Sequence, residues 1–276
     1  MSRLRYVSVP TLAVMLSCTP AAEGPIREAV MFYASFDERA AADIGAYPEP
    51  SRGPAAESFE PGAHGRALRI ENPDGGAALA YRAEGNLPDP GSAWSGTLTF
   101  WLRAEPGAAA DKVQTPVRIA NECSAPDGLW VDYVGGPAPE LRLGAVTAGG
   151  EPERSGPAVV ARLRRLKGGD WRHVAVTWAN FDSGRGNAWA ALYLDGDMAG
   201  TVTNATFRSG RQADGGFLCV GVNFRGAIDE LAVLSRPLSQ KEVRRLSAEP
   251  ALLAALKGSG SGDAAAVFEF RSLARR

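Results

Sequence analysis

The feature that most constrains the fold of this chain is a patterned run over residues 170–238. Apolar and polar residues alternate over residues 172–178, and side chains two positions apart in a strand lie on the same face. A second apolar segment, residues 227–234, is followed by Pro237, which has no backbone N–H to continue a sheet. This part of the chain is therefore predicted to form strands.

The two strands that follow residue 178 are predicted to form a hairpin. Residues 188–194 and 198–202 flank Asp195 and Gly196, a pair that supplies the positive φ angles of a tight turn. The 32 glycines and 19 prolines break the rest of the chain into short segments, which favours an all-β domain. Further strands are predicted over residues 30–36, 65–70, 77–81, 96–103, 117–121, 129–134, 141–146, 159–163 and 217–222.

One helix is predicted after the last strand. Ser239 and Glu242 have the spacing of a capping box, in which each side chain accepts a hydrogen bond from the other residue's backbone N–H. The helix is expected over residues 240–247, with Val243 and Leu246 buried.

The charge of the chain argues against nucleic acid as a partner. Lys and Arg number 30 against 31 Asp and Glu, so the net charge is −1. A nucleic-acid-binding surface needs a concentration of positive charge. The densest basic stretch, residues 162–167, is interpreted as a solvated loop or strand edge.

The N-terminus has the layout of an export signal. Two arginines precede a short apolar stretch, and residues 16–18 (LSC) resemble the bacterial lipobox, in which the cysteine is lipidated. The apolar stretch is shorter than the roughly 20 residues that span a bilayer. Residues 1–17 are thus predicted to be a lipoprotein signal peptide, Cys18 the lipidated residue, and residues 18–28 a tether. Simple secretion and a buried N-terminal strand are the alternatives.

Two further cysteines, Cys123 and Cys219, remain if Cys18 is lipidated. Export would bring them into an oxidising compartment, where a disulfide persists. A disulfide and a pair of buried free thiols are both open at this point. Their wide spacing does not match a zinc site.

Six segments of the chain occur in an order that resembles a known family. They are FDE at 36–38, GRAL at 65–68, GTLTFWL at 96–102, WRHVA at 171–175, LYLDG at 192–196 and GAIDE at 226–230. The chain resembles the LamG-like jelly-roll domains of the concanavalin A-like lectin/glucanase superfamily. The resemblance implies an antiparallel β-sandwich over residues 29–248, which leaves residues 249–276 as a C-terminal tail.

The resemblance also implies a structural calcium ion near the edge of a sheet. Asp37 ends the first strand and Asp229 lies in the last, and calcium prefers carboxylate and carbonyl oxygens. Glu38 and Glu230 are weaker candidates. The alternative is that Asp37 caps a turn and Asp229 bonds to backbone or to an arginine.

Several aromatic residues are candidates for a sugar-binding surface, because a sugar packs its C–H face on an exposed ring. Trp130 is the leading candidate, since Asp132 and Tyr133 follow it closely. The other candidates are Trp94, Trp189 and Phe224. Three more tryptophans, Trp101, Trp171 and Trp178, are expected to pack between the sheets.

The sequence carries no recognisable catalytic pattern. Asp195 and Asp197 flank a turn glycine, where Asp is favoured for backbone reasons. His173 lies within a predicted strand and is interpreted as part of the framework. The Glu-x-Asp-x-x-Glu strand of the superfamily's retaining glucanases does not occur.

These observations predict a non-catalytic, lipid-anchored protein that binds a glycan or an envelope protein. Its expected location is the outer membrane or cell surface, and otherwise the periplasm or the medium. A structural or adhesive accessory domain without small-ligand binding is one alternative, and a polysaccharide-cleaving enzyme is another.

Overall fold

The computed structural model of the protein describes residues 25–53, 58–72, 75–89, 91, 93–105, 113–125, 127–147, 158–163, 170–209 and 215–257. Most of these residues form two antiparallel sheets packed face to face, which confirms the predicted all-β sandwich. The predicted signal peptide, Cys18, the first part of the tether and the tail beyond residue 257 lie outside the described residues.

The described elements are mostly short strands. In chain order the strands are β1 (Val30–Ala34), β2 (Phe59–Pro61), β3 (Arg66–Glu71), β4 (Leu79–Arg82), β5 (Trp94–Ala104), β6 (Val113–Ala120), β7 (Leu129–Val134), β8 (Glu140–Thr147), β9 (Val159–Arg162), β10 (Arg172–Phe181), β11 (Ala188–Leu194), β12 (Asp197–Ala205), β13 (Phe207–Arg208), β14 (Phe217–Val222) and β15 (Arg225–Leu234). The helices are α1 (Ile26–Ala29), α2 (Gln240–Ala248) and α3 (Ala251–Ala254). None of these helices has the length and apolar character needed to cross a bilayer.

The strand order places distant parts of the chain side by side. The first sheet has the order β12–β11–β10–β5–β15–β3–β2, and β1 joins it through β15. The second sheet has the order β13–β8–β7–β6–β14–β4, and β9 joins it through β8. The chain therefore crosses repeatedly between the sheets, as in a jelly roll.

The core lies between the two sheets and follows the period of two in the sequence. On β5 Leu98 and Phe100 point into the core, and on β10 Val174 and Val176 do the same. Val131 on β7 meets them from the second sheet. All five are completely buried, and full burial of such a side chain contributes about 1.5–3 kcal/mol.

The last strand, β15, is shared by two partners along one of its edges. Residues 225–228 pair with β3 and residues 231–234 pair with β1, while the other edge pairs with β5. Between these halves the register against β5 shifts, and Glu230 has a φ of 52°. A β-bulge of this kind re-aims the side chains around it. Asp229 and Glu230 therefore lie where β1 ends and β3 begins.

The predicted capping box is present at the start of α2. The Ser239 hydroxyl accepts a hydrogen bond from the Glu242 N–H at 3.4 Å, and the Glu242 carboxylate accepts one from the Ser239 N–H at 2.8 Å. Val243 and Leu246 are buried, as predicted.

The shortest elements of the fold were not predicted from the sequence. Residues 26–28, assigned to the tether, lie in α1, where Ile26 is buried against the domain. β2 and β13 were also missed, because strands of three and two residues are too short to show a period of two.

Cys123 and Cys219 form a disulfide on the outer face of the second sheet. Their Cα atoms are 5.6 Å apart, and 96 positions separate them in the chain. Small apolar side chains, including Ala77 and Ala80, pack beside the bridge.

Removing this bridge should destabilise the fold. In a variant with Cys123→Ala and Cys219→Ala the long loop is no longer closed in the unfolded chain, so the free energy of unfolding should fall by about 2–4 kcal/mol. Urea unfolding of the variant and of the oxidised wild type measures the difference. Equal unfolding midpoints, or two free thiols in the oxidised wild type, would contradict this expectation.

Candidate functional site

Asp37 and Asp229, the predicted metal residues, hold the same loop at the bulge of β15. One oxygen of Asp37 accepts a hydrogen bond from the Arg66 N–H at 2.8 Å, and one oxygen of Asp229 accepts from the His64 N–H at 2.9 Å. Gly65 lies between the two donors with a φ of 65°, and a Cβ atom there would overlap the Asp37 carboxylate. The loop between β2 and β3 is thus fastened by two carboxylates, one from the segment after β1 and one from β15.

Glu230 lies beside them and is almost completely buried. The Tyr33 hydroxyl donates to one of its oxygens at 2.7 Å, and Nδ1 of His64 is 3.4 Å from the other. Burial raises the pKa of Glu230 to about 7, although the Tyr33 hydrogen bond opposes the shift. Burial likewise raises the pKa of Asp229 to about 7, against the hydrogen bond from the His64 N–H. Both carboxyl groups therefore titrate near neutrality.

Lys257 supplies an ammonium group to this cluster from the C-terminal side. It forms an ion pair with the oxygen of Asp37 that Arg66 does not use. Burial works against ionisation of Asp37, but the Lys257 and Arg66 donors outweigh it and lower the pKa of Asp37.

The groups around the two aspartates do not fit the calcium ion that the resemblance implies. Calcium takes about six to eight oxygen ligands. Here the N–H groups of His64 and Arg66 and the ammonium of Lys257 point their positive ends at the carboxylate oxygens. In the described part of the chain, no three His, Cys, Asp or Glu side chains gather as a metal site would require. A calcium ion would have to displace Lys257 to reach Asp37.

The outer face of the first sheet is divided into two halves. The helices pack over one half and bury Val243, Leu246 and Leu253 there. The strand residues beneath them are mostly small or apolar: Ala175, Ala191, Tyr193, Ala232 and Leu234.

The other half of this face carries two partly exposed tryptophans, Trp101 and Trp171. The register places Trp101 on β5 between Asp229 on β15 and His173 on β10. The rings of Trp101 and His173 meet edge to face with centroids 5.4 Å apart. The guanidinium carbon of Arg103 lies 5.1 Å from the centroid of the Trp171 ring. We call this half of the sheet the Trp101 face.

The Trp101 face was not predicted from the sequence. Trp101, Trp171 and Trp178 were all expected between the sheets, and of these Trp178 alone is in the core. The alternation in β5 carried the signal for Trp101: since Leu98, Phe100 and Leu102 face the core, the odd-numbered residue between the last two must face outward.

Charged side chains flank the Trp101 face and are fixed by one another. Arg69 contacts the carboxylates of Glu60, Glu71 and Glu105 at 3.4, 3.0 and 2.6 Å. Arg103 also forms an ion pair with Glu60. Through Arg103, which pairs with Glu60 and lies over the Trp171 ring, this network brings hydrogen-bond donors and acceptors to the edge of the Trp101 face.

A cleft of about 500 Å³ adjoins this network where β3 extends past the short β2. Its apolar lining includes Leu68, Ile70 and Leu79, and its polar lining includes Arg52 and Arg69. Arg69 is thus common to the cleft and the charged network.

Trp130 and Asp132, the leading candidates from sequence, lie on the outer face of the second sheet. Trp130 is 9% exposed. Its ring packs against Gly144, where a Cβ atom would overlap it, and the Arg118 guanidinium lies 5.9 Å from the ring centroid. Asp132 accepts a hydrogen bond from the Thr115 hydroxyl at 2.6 Å. Burial raises the pKa of Asp132, against this bond.

The other aromatic candidates do not gather at one place. Tyr133, Phe224 and Trp94 belong to the core cluster between the sheets, and the last two are completely buried. Trp189 is partly exposed and lies on β11 at the border of the helix-covered half. These residues therefore form no common surface with Trp130.

The side chains that could suggest catalysis have structural partners. Asp195 has a φ of 52° in the hairpin turn and pairs with Arg172. Asp197 pairs with an arginine of α2. His173 is 2% exposed, and burial lowers its pKa to about 4, so its imidazole is neutral. Its Nε2 lies 2.8 Å from the Thr99 hydroxyl.

A family model agrees with this architecture. It is the laminin G-type model described as the concanavalin A-like lectin/glucanases superfamily, and it matches residues 74–244, more than half of the chain. The chain belongs to this superfamily. A search of curated proteins finds no match to the chain.

Solved structures of the same fold include sugar-bound and protein-bound domains. Domain 4 of AbnA, a GH43 extracellular arabinanase from Geobacillus stearothermophilus solved with arabinotriose, is 20% identical over 79% of this chain and 98% of its own, with a TM-score of 0.53. The binding domain of botulinum neurotoxin DC, solved with rat synaptotagmin II, is 13% identical over 81% of this chain and 52% of its own, with a TM-score of 0.55. The binding domain of Paraclostridial Mosquitocidal Protein 1 is 12% identical over 80% and 52%, with a TM-score of 0.53.

The chain spans about half the length of the two toxin domains. At these identities the likeness shows the fold alone.

The buried acids predict that stability falls as the pH rises from about 5 to 8. Asp229 and Glu230 keep their protons in the folded state up to pH values near 7, whereas the unfolded chain loses them near 4. The folded state binds more protons in this window, so its stability is highest at the acidic end. Thermal melting across the window measures the effect.

A double variant, Asp229→Asn with Glu230→Gln, serves as the control. The amides keep oxygen acceptors for the His64 N–H and the Tyr33 hydroxyl but do not titrate. Its melting temperature should lose most of this pH dependence. The same slope in wild type and variant would refute the assignment.

Proposed function

We propose that this chain is a non-catalytic envelope protein that binds a glycan on the Trp101 face. The observation that carries the proposal is the partly exposed Trp101 ring beside the fixed charges of Glu60, Arg69 and Arg103. The AbnA domain solved with arabinotriose supports a sugar ligand for this fold.

The chemistry of the face suits a sugar. The C–H groups of a pyranose or furanose ring pack on an aromatic ring, and the hydroxyls need donors and acceptors around it. Trp101 is held by the edge of His173, so ordering it on binding costs little side-chain entropy. Because the flanking arginines are already paired with glutamates, the face is expected to favour a neutral glycan over a strongly anionic one.

The buried carboxylates and those of the hairpin turn support binding over hydrolysis. A glycosidase of the usual kind needs two carboxyl groups that reach opposite sides of one glycosidic bond. Asp229 and Glu230 are 0% and 2% exposed, and they face Tyr33 and the loop between β2 and β3. Asp195 and Asp197 are paired with arginines at the turn of the β11–β12 hairpin.

Export and lipid anchoring belong to the same proposal. They rest on the signal-like residues 1–17 and on Cys18 in its lipobox-like context. The Cys123–Cys219 disulfide supports an oxidising compartment, such as the periplasm or the cell surface.

A protein partner is the second candidate. The cleft beside Arg69 favours it, because an apolar floor with an arginine rim suits an inserted side chain. The toxin domain solved with synaptotagmin II supports protein recognition by this fold.

The glycan proposal predicts that Trp101→Ala weakens binding at least about tenfold, equivalent to about 1.4 kcal/mol. A glycan array with the purified full chain identifies the ligand, and calorimetry with that glycan measures the affinity. Arg103→Ala should also weaken binding, since Arg103 supports Trp171 and a flanking carboxylate.

Trp130→Ala is the matched control. Trp130 lies on the opposite sheet, under Arg118, so this change should leave glycan affinity unaltered in a folded variant. Loss of binding in Trp130→Ala with retention in Trp101→Ala would move the ligand to the second sheet. No glycan binding at all would favour the protein partner or a structural role, and release of reducing sugars would refute a non-catalytic function.

A further inference from the structure

The segment that follows α2 brings a cation to the bulge of β15. Leu253 on α3 is buried in the cluster beneath the helices. The turn after α3 then brings Lys257 to Asp37, a residue 220 positions earlier in the chain. The Lys257 ammonium and the Arg66 N–H bind different oxygens of the same carboxylate.

We call the bulge of β15 and the acidic side chains around it, Asp37, Asp229 and Glu230, the rim of the sandwich. Asp229 accepts a hydrogen bond from the His64 N–H, and Glu230 accepts one from the Tyr33 hydroxyl. Among the described contacts of these three acids, the ammonium of Lys257 on Asp37 is the ion pair with a lysine or arginine.

We propose that the Lys257 ammonium takes the place of the structural calcium ion that the resemblance implies, so that the sandwich closes its rim without a metal. A bound cation and Lys257 would compete for the same Asp37 oxygen. One oxygen of Asp37 and one of Asp229 accept hydrogen bonds from backbone N–H groups of the β2–β3 loop. Such donors stabilise carboxylate anions, whereas a calcium site needs several oxygens that face the cation.

This arrangement ties the end of the described chain to the fold. The Asp37–Lys257 pair holds residues 251–257 at the rim, and Asp229 at that rim is the register neighbour of Trp101. Both partners of the pair are 29% exposed, so water screens the interaction. Its loss should lower the melting temperature by a few degrees only.

The experiment compares the full chain with Lys257→Gln, each in EDTA and in millimolar calcium. The wild type should melt at the same temperature in both conditions and carry no calcium after purification. Lys257→Gln should melt about 2–4 °C lower than the wild type in EDTA and in calcium alike, because the backbone N–H groups of the β2–β3 loop still occupy the carboxylates. Lys257→Arg should behave as the wild type does.

Lys241→Gln is the matched control, since Lys241 is an exposed lysine on the neighbouring α2. It should change neither the melting temperature nor its response to calcium. The proposal is overturned if the wild type contains calcium or melts lower in EDTA. It is equally overturned if Lys257→Gln melts as the wild type does, or if calcium restores the melting temperature of Lys257→Gln. Metal analysis of the wild type decides the question even if Lys257→Gln does not fold.

Discussion

The pairing of β15 is the constraint on which the rest of the structure depends. This strand pairs with β5 along one edge and with both β1 and β3 along the other. Two strands can share an edge only if one stops where the other starts, and the bulge at Asp229 and Glu230 marks that point. The unpaired backbone of the junction is satisfied there by carboxylates, which fasten the incoming loop.

The position of this junction also determines which groups lie around it. The helices after β15 return over one half of the first sheet, and their last turn delivers Lys257 to the acids. The half that they leave carries Trp101, Trp171 and the ion pairs of Arg69 and Arg103. The rim of the sandwich and its best candidate binding surface are thus neighbours for a topological reason: both lie along β15 and β5.

Local pattern predicted the parts of the molecule that depend on neighbours in sequence. The alternation of β5 and β10, the Asp195 turn and the Ser239 cap all follow from a few adjacent residues, and all are present. The candidate site was harder to predict from the sequence than these local features. The exposure of Trp130 depends on Arg118 and Gly144, which come from two other strands and cover the ring. The same period of two that buries Phe100 turns Trp101 outward, yet it gives no measure of how much of that face the helices cover.

The sequence by itself determined the sandwich, its hairpins and the helix at its end, because hydrophobic periodicity and turn chemistry are local and recur along the chain. The family resemblance of the sequence also indicated Asp37 and Asp229 as a pair. Only the tertiary structure decided what surrounds that pair: backbone N–H groups of the β2–β3 loop and the ammonium of Lys257. Charge partners separated by 220 residues leave no local pattern, since their meeting depends on the path of the whole chain.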